Sequence, residues 1–231
     1  MRDWFPLTNY EFYAFVASGM LLVATFDYCF AEAVLVHRTE WTTVQFIFWT
    51  VVSFIVGHIC AAPSAGLVEH LLARTLFHDP MSVQLGLKPL RRRERALGWL
   101  FAYREYAPLT PATRETILTA IATDAIGRCT HRAFEIAYPV ARQVEDTARR
   151  LESFQNAYGF CRNIVFVSLI AGGALAYRYT VYGIGQDVWF SLTAFVIAIG
   201  MYGRFLKYYA LFGREVLLRF HASLIGEKGS V

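Results

Sequence analysis

Residues 12–36 read FYAFVASGMLLVATFDYCFAEAVLV, and residues 42–62 read TTVQFIFWTVVSFIVGHICAA. A helix needs about 20 mostly apolar residues to cross the hydrocarbon core of a membrane, so each stretch is long enough for one span. Two further apolar stretches follow at residues 160–178 and 188–204. The pattern predicts an all-α integral membrane protein with four transmembrane helices.

The composition of the whole chain favours the same class. The 231 residues are 56% hydrophobic and only 17% charged, whereas about a quarter of the residues in a soluble domain are charged. The mean hydropathy is +0.37. The first apolar stretch is too long for the core of a signal peptide and has no short basic leader, so we expect it to stay as an anchor.

The four spans divide the chain into three regions. Residues 1–62 form a first hairpin, residues 63–158 a helical region that lies in the cytoplasm or at the membrane interface, and residues 159–231 a second hairpin with an amphipathic helix at its end. Apolar residues recur at steps of three and four from about His131 onward and again after residue 204. We therefore expect Pro63 to bend the chain, one helix to run from His131 into the third span, and the fourth span to continue into the tail. Closure of a small soluble helical bundle is the alternative reason for these apolar stripes.

Lysine and arginine residues set the expected orientation. They are frequent between the second and third spans and in the tail, whereas the two other loops carry only Arg38 and Arg178. The positive-inside rule then places both termini and the central region in the cytoplasm. The segments YGFCRN at residues 158–163 and RFLKYYALFGREVLLRF at residues 204–220 resemble four-pass proteins of bacterial inner membranes, a resemblance that implies a plasma-membrane location and no activity.

A basic cluster lies in the central region. Its residues are Arg91, Arg92, Arg93 and Arg95. Such a cluster close to a membrane suits anionic lipid head groups. A net charge of +4 is modest, and a basic inner surface is expected of a membrane protein, so we expect membrane lipids and not nucleic acid as the partner.

Asp27 is an acid inside the first apolar stretch. A carboxylate in the middle of a span costs about 2.5 to 3.5 kcal/mol, so it needs a compensating environment. On a helix it shares a face with Met20 and Ala24, and Tyr28 and Glu32 lie on an adjoining polar face. This arrangement predicts that Asp27 faces protein or water and not lipid. Three roles stay open: a neutral or hydrogen-bonded structural residue, part of an ion or proton pathway with Glu32 and Tyr28, and a catalytic acid.

Small residues recur at steps of four in the second and third spans. Such stripes let helix backbones approach closely where lipid provides no hydrophobic driving force. We expect them to mediate either contact between these two helices or contact between copies of the chain, and hence homo-oligomers. The residues are Ser53, Gly57, Ala61, Ser168, Gly172 and Ala176.

Motifs for catalysis are weak. The chain contains no phosphate-binding glycine loop with its lysine, no HExxH and no GxSxG. His58 and Glu69 are the best catalytic candidates, because eleven residues are nearly three helical turns and place both on one face if the helix continues through Pro63. Their alternative is a pair of interfacial side chains.

Metal sites are not predicted either. The pairs His58–Cys60 and Cys129–His131 are each two residues apart, so on a helix their side chains point away from each other and cannot chelate together. We therefore expect buried thiols, no metal and no cofactor.

Three functions fit these observations. The first is a homo-oligomeric, channel-like or signal-responsive membrane effector with a cytoplasmic sensing region that could bind a protein partner. The second is a membrane enzyme that acts on a lipid or lipid-linked substrate at the cytoplasmic face. The third is a structural subunit of a larger membrane complex.

Overall fold

The computed structural model describes residues 9–30, 34–35, 37–73, 76–101, 105–122 and 130–228. These residues form helices joined by short turns, and no strand occurs among them. The helices are α1 (Asn9–Phe30), α2 (Thr43–Ser64), a π-helix (Ala65–Ala73), α3 (Pro80–Gln84), α4 (Arg92–Phe101), α5 (Pro111–Ala122), α6 (Thr130–Arg142), α7 (Glu145–Tyr182) and α8 (Gly185–Lys228). The prediction of an all-helical fold is confirmed.

The chain divides into two compact units. Unit 1 comprises Met1–Leu71 and Gly159–Phe205, and unit 2 comprises Leu72–Tyr158 and Leu206–Val231. The tail after residue 205 thus groups with the central region, whereas our prediction grouped it with the second hairpin.

Three helices are long and apolar enough to cross a membrane. They are Thr43–Ala73, Glu145–Tyr182 and Gly185–Gly226. A shorter apolar helix, Ala14–Phe30, lies within α1. These helices support an integral membrane protein, with three candidate spans among the described residues.

The helix that carries the second span does not end at Pro63. α2 passes through Pro63 and continues directly into the π-helix, so the helical hydrogen bonding does not stop at this residue. Proline removes one backbone donor, and helices in apolar surroundings accommodate this loss through local 3₁₀ or π adjustments. Here the N–H of Ala65 donates to the carbonyls of both Ala61 and Ala62, and the change to π geometry follows at once.

The helix that carries the third span begins later than we predicted. α6 ends at Arg142 and α7 begins at Glu145, so the chain from His131 onward forms two helices. A basic residue in the last turn of α6 and the acidic Glu145 and Asp146 in the first turn of α7 each suit the helix dipole at a terminus. The fourth span and the tail do form one helix, α8, as predicted.

α1 and α2 pack through their backbones in unit 1. A Cβ atom added to Gly19 would lie 1.7 Å from the carbonyl oxygen of Ser53, and one added to Gly57 would lie 1.9 Å from that of Phe15. The hydroxyl of Ser18, which faces Gly57, donates to the carbonyl of Ala14 at 3.0 Å. Only glycine allows this approach.

α7 and α8 pack differently within unit 1. They are joined by a turn in which Gly183 adopts a φ of 68°, a left-handed conformation that favours glycine. The hydroxyl of Ser191 donates to the carbonyl of Gly172 at 2.8 Å. The ring of Phe195 lies over Gly172, 3.0 Å from where a Cβ would be. A side chain therefore fills the space that the glycine leaves.

Unit 2 has an apolar core of the kind found in water-soluble bundles. Helix α6 buries Ala133, Ala137 and Ala141 at steps of four. Gln84 is fully buried, and its amide donates to the carbonyls of Glu105 at 3.0 Å and Ala210 at 2.9 Å. The other core residues come from α3 and the segment after it, the segment before α5, and helices α5, α7 and α8: Met81, Leu85, Leu109, Ile117, Ile121, Leu151, Phe212, Val216, Leu217 and Phe220.

Candidate functional site

Asp27 is buried near the described end of α1. Its carboxylate accepts a hydrogen bond from the backbone N–H of Leu35 at 2.8 Å. Residues 34 and 35 lie in a turn, so the segment that follows α1 supplies a hydrogen-bond donor to this acid.

The face on which we predicted Asp27 to lie is not uniformly buried. Met20 is exposed, although it lies two turns before Asp27 on the same face. Among the described residues of α1, the buried ones are Ala14, Ser18, Gly19, Leu22, Thr25 and Asp27. Asp27 itself is buried, and the returning chain contributes the N–H of Leu35 to its surroundings. Glu32, the other acid of the predicted pathway, lies outside the described residues.

Tyr28 belongs to a polar cluster with Arg178 and Asp187. The phenol of Tyr28 donates to Asp187 Oδ1 at 2.9 Å, and Nη1 of Arg178 donates to the backbone carbonyl of Tyr28. The guanidinium carbon of Arg178 lies 4.3 Å from the centre of the Tyr28 ring, within the range of a cation–π interaction. The cluster ties α1 to both helices that flank the Gly183 turn.

Arg178 and Asp187 form an ion pair in this cluster. Nε of Arg178 lies 3.5 Å from Asp187 Oδ2, and the side chain of Asp187 is fully buried. In the sequence, Arg178 served only to set the orientation of the chain, and no partner was predicted for it. The available signal was an arginine and an aspartate nine residues apart, on opposite sides of a glycine turn between two apolar segments.

A second polar group lies at the opposite end of the unit 1 helices. The hydroxyl of Ser64 donates to Asn163 Oδ1 at 2.6 Å, and Nη1 of Arg162 lies 3.1 Å from Glu69 Oε2. The four side chains join α2 and its π extension to α7. Glu69 and Arg162 are both less than one-fifth exposed, so the pair is partly buried. Segments of π-helix occur often at functional sites.

The structure does not bring His58 and Glu69 together. The His58 ring lies edge-on to Phe15 at 5.0 Å and stacks on Phe54 at 6.2 Å between centroids. Glu69 contacts Arg162 instead. The best candidates for acid–base chemistry are therefore separate: an exposed histidine among aromatic rings and a carboxylate held in an ion pair.

The two small-residue stripes pack against different helices. Ser53 and Gly57 lie against α1, and Gly172 lies against α8. Ser168 is fully buried, and Ala61 and Ala176 are half-buried. Beside the stripes, Cys60 of α2 and Val167 of α7 lie in one buried apolar cluster, so these two helices also contact each other.

The basic cluster surrounds a buried acid. Arg91, Arg92, Arg93 and Arg95 are exposed, and Glu94 is buried. The Glu94 carboxylate accepts the backbone N–H groups of His78 and Arg91, each at 2.6 Å. Glu94 thus holds the start of α4 in place, and the four arginine side chains of the cluster lie on the surface of unit 2.

Metal-ligating residues are scattered in the described part of the chain. No group of three or more His, Cys, Asp or Glu is arranged there to hold a metal ion. Cys29, Cys60 and Cys161 are free thiols, and Cys129 lies outside the described residues. The two polar groups of unit 1 instead hold its helices together, one at each end of the helices.

Comparison with known proteins adds no relative. No protein-family model matches the chain, and no curated protein or solved structure is significantly similar to it.

Proposed function

We propose that the chain is a four-pass plasma-membrane protein with both termini in the cytoplasm, and that it works as a homo-oligomeric, channel-like effector controlled by its cytoplasmic helices. In this proposal α1 also crosses the membrane, in addition to the three long apolar helices. Its 22 residues would extend about 33 Å at ~1.5 Å per residue, enough for a hydrocarbon core of about 30 Å. Its close backbone contact with α2 supports this assignment.

The observation that carries the proposal is that α7 and α8 each contribute buried residues to both units. α7 provides Val167 to unit 1 and Leu151 to unit 2, and α8 provides Phe205 to unit 1 and Leu217 to unit 2. Packed interiors switch between arrangements and do not deform continuously. A ligand or protein partner that shifts either helix in unit 2 would therefore act on residues packed in unit 1.

The outward apolar face of α2 supports assembly from several copies. Val44, Val51, Ile55 and Ile59 recur at steps of seven and four along this helix, and all are at least half exposed. Such a face would contact lipid or the same face of another copy. The exposed basic cluster of unit 2 would hold anionic lipid head groups.

A matched pair of variants at Gly159 tests the proposed coupling. A Cβ at this position on α7 meets no atom within 4 Å, so Gly159→Ala keeps the helix. Gly159→Pro breaks it at a cost of about 3 kcal/mol or more. In liposomes that contain the full chain, we expect an ion flux that Gly159→Ala preserves and Gly159→Pro abolishes, while native mass spectrometry shows oligomers of both variants.

Other results would count against the effector. Monomers alone in detergent and in nanodiscs, no flux at either polarity of membrane potential, or equal flux from both Gly159 variants would each contradict it. Stoichiometric co-purification of a different membrane protein would instead favour a structural subunit of a larger complex.

A membrane enzyme that acts on a lipid-linked substrate at the cytoplasmic face is the second candidate. The junction of Ser64, Glu69, Arg162 and Asn163 beside a π-helix favours it, because these groups could bind a polar head group. His58→Ala and Glu69→Gln test this candidate. If both variants kept the wild-type activity on the lipid-linked substrate, this candidate would be ruled out.

A further inference from the structure

The hairpin of α1 and α2 carries a continuous groove that none of the functions above uses. Two adjoining cavities form it, with volumes of about 710 and 400 Å³. They share Val23, Leu35 and Trp49 in their walls. Sites for small molecules have volumes of roughly 300 to 1,000 Å³, so either cavity is large enough for a ligand.

The groove is accessible from the outside of unit 1. Phe26 and Phe30 line the larger cavity and are exposed, and Trp41 and Phe46 line the smaller one and are exposed as well. In a membrane such a rim faces the acyl chains. A ligand with an apolar body would therefore reach the groove through the bilayer.

The chemistry of the walls is aromatic with one acid. Trp49 lines both cavities, and Asp27 is the one charged residue among the described residues that line either of them. Aromatic faces attract cations, tryptophan most strongly, and the attraction grows when water is excluded. A carboxylate in the same low-dielectric space attracts a cation further and repels an anion.

Asp27 is held in place for such a role. The N–H of Leu35 fixes its carboxylate at 2.8 Å, and Leu35 itself lines both cavities. The residue that orients the acid is thus part of the wall. An ionisable side chain inside a membrane segment is by default a candidate functional group.

We propose that this groove binds a lipophilic cation, that is, an apolar molecule that carries a permanent or protonated positive charge. The charged group lies beside Asp27 and the Trp49 ring, and the apolar body lies among the other aromatic side chains. The cation could belong to a lipid with a quaternary ammonium head group or to a free amphipathic amine, since both share this chemistry.

Tetraphenylphosphonium and tetraphenylborate provide a direct test, because they match in size and shape and differ in the sign of their charge. With the full chain in nanodiscs of anionic lipid, we expect saturable binding of the phosphonium that quenches tryptophan fluorescence, and no saturable binding of the borate. Asp27→Asn should weaken phosphonium binding by about tenfold, which corresponds to ~1.4 kcal/mol.

Two further variants separate binding from folding. Glu40→Gln removes one negative charge from the exposed loop between α1 and α2, outside both cavity walls, and should bind like the wild type. Ala24→Leu keeps the acid and fills part of the smaller cavity, so it should also weaken binding even if Asp27→Asn proves unstable.

The results that would overturn the proposal are equal binding of the two ions, or phosphonium binding that neither Asp27→Asn nor Ala24→Leu reduces. Either result would make the groove a surface for acyl chains alone. Competition by phosphatidylcholine in the nanodisc would identify a lipid head group as the source of the cation, and competition only by a soluble quaternary amine would identify a free ligand.

Discussion

Unit 1 exposes many large apolar side chains and buries Asp187 beside Arg178, whereas unit 2 exposes few large apolar side chains among its described residues and places an ion pair on its surface. Ile59 and Trp189 in unit 1 are about two-thirds exposed, and Asp187 is fully buried. In unit 2 Leu217 is fully buried, while Glu145 and Arg149 form an ion pair on the surface. Among the residues whose exposure the structure describes, only three exposed large apolar residues belong to unit 2: Val144, Leu218 and Ile225.

This contrast indicates which forces stabilise each unit. Burial of apolar area stabilises a core in water, and unit 2 is built in that way. Helices surrounded by lipid gain little from it, and they associate through close backbone packing and polar contacts instead. Unit 1 has both, in the contact of Gly19 with Ser53 and in the Tyr28, Arg178 and Asp187 cluster.

Loss of the buried acid in unit 1 should have the largest effect. Asp187→Asn keeps the shape of the side chain but leaves the partly buried Arg178 without its counter-ion, and removal of one partner of a buried pair costs about 3 to 5 kcal/mol. We expect a decrease of this size in the free energy of unfolding, measured by reversible unfolding in mixed micelles. Glu145→Gln is the control in unit 2, because exposed pairs contribute about 0 to 1 kcal/mol. Similar losses in the two variants would remove the distinction between the units.

Neighbouring leucines on α8 test the interior of unit 2. Leu217 is fully buried and Leu218 is exposed. Truncation of a buried leucine to alanine costs about 2 to 5 kcal/mol, so Leu217→Ala should lower the free energy of unfolding by that amount. Leu218→Ala should change it by less than about 0.5 kcal/mol. If Leu218→Ala were the more damaging variant, α8 would have to pack through its other face.

Two glycines of unit 1 test the importance of backbone contact. A Cβ at Gly57 would overlap the carbonyl of Phe15, whereas a Cβ at Gly173 meets no atom within 4 Å. Overpacking costs about 1 to 3 kcal/mol, so Gly57→Ala should lower the thermal unfolding midpoint in detergent. Gly173→Ala should leave the midpoint unchanged or raise it, since alanine is the better helix former. Equal midpoints for the two variants would show that α1 and α2 are not in backbone contact.

The sequence predicts the helices of this fold better than their contacts. Apolar runs of known length are enough to locate the cores of α2, α7 and α8, because a spanning helix satisfies its own backbone hydrogen bonds. Thr110 and Pro111 likewise predict the start of α5: the Thr110 side chain accepts the N–H of Thr113 at 3.4 Å.

The contacts that the sequence did not predict depend on which groups lie close together in the folded protein. The carboxylate of Asp27 accepts a backbone N–H eight residues later, and Gly57 contacts a backbone carbonyl on α1. Because both contacts involve backbone groups, no side-chain pattern in the sequence predicts them. The sequence did not decide whether the helix continues through Pro63, because proline ends or kinks helices in water. In this chain the helix continues by changing its hydrogen-bonding register.

The short turn at Gly183 has a consequence for how the protein is made. Only Gly183 and Ile184 separate α7 from α8, so the two helices can leave the ribosome and enter the bilayer together as one hairpin. Arg178 and Asp187 flank that turn, and their pairing needs no residue from the rest of the chain. The hairpin tip therefore contains its own counter-charge, and Tyr28 of the earlier helix α1 completes the cluster.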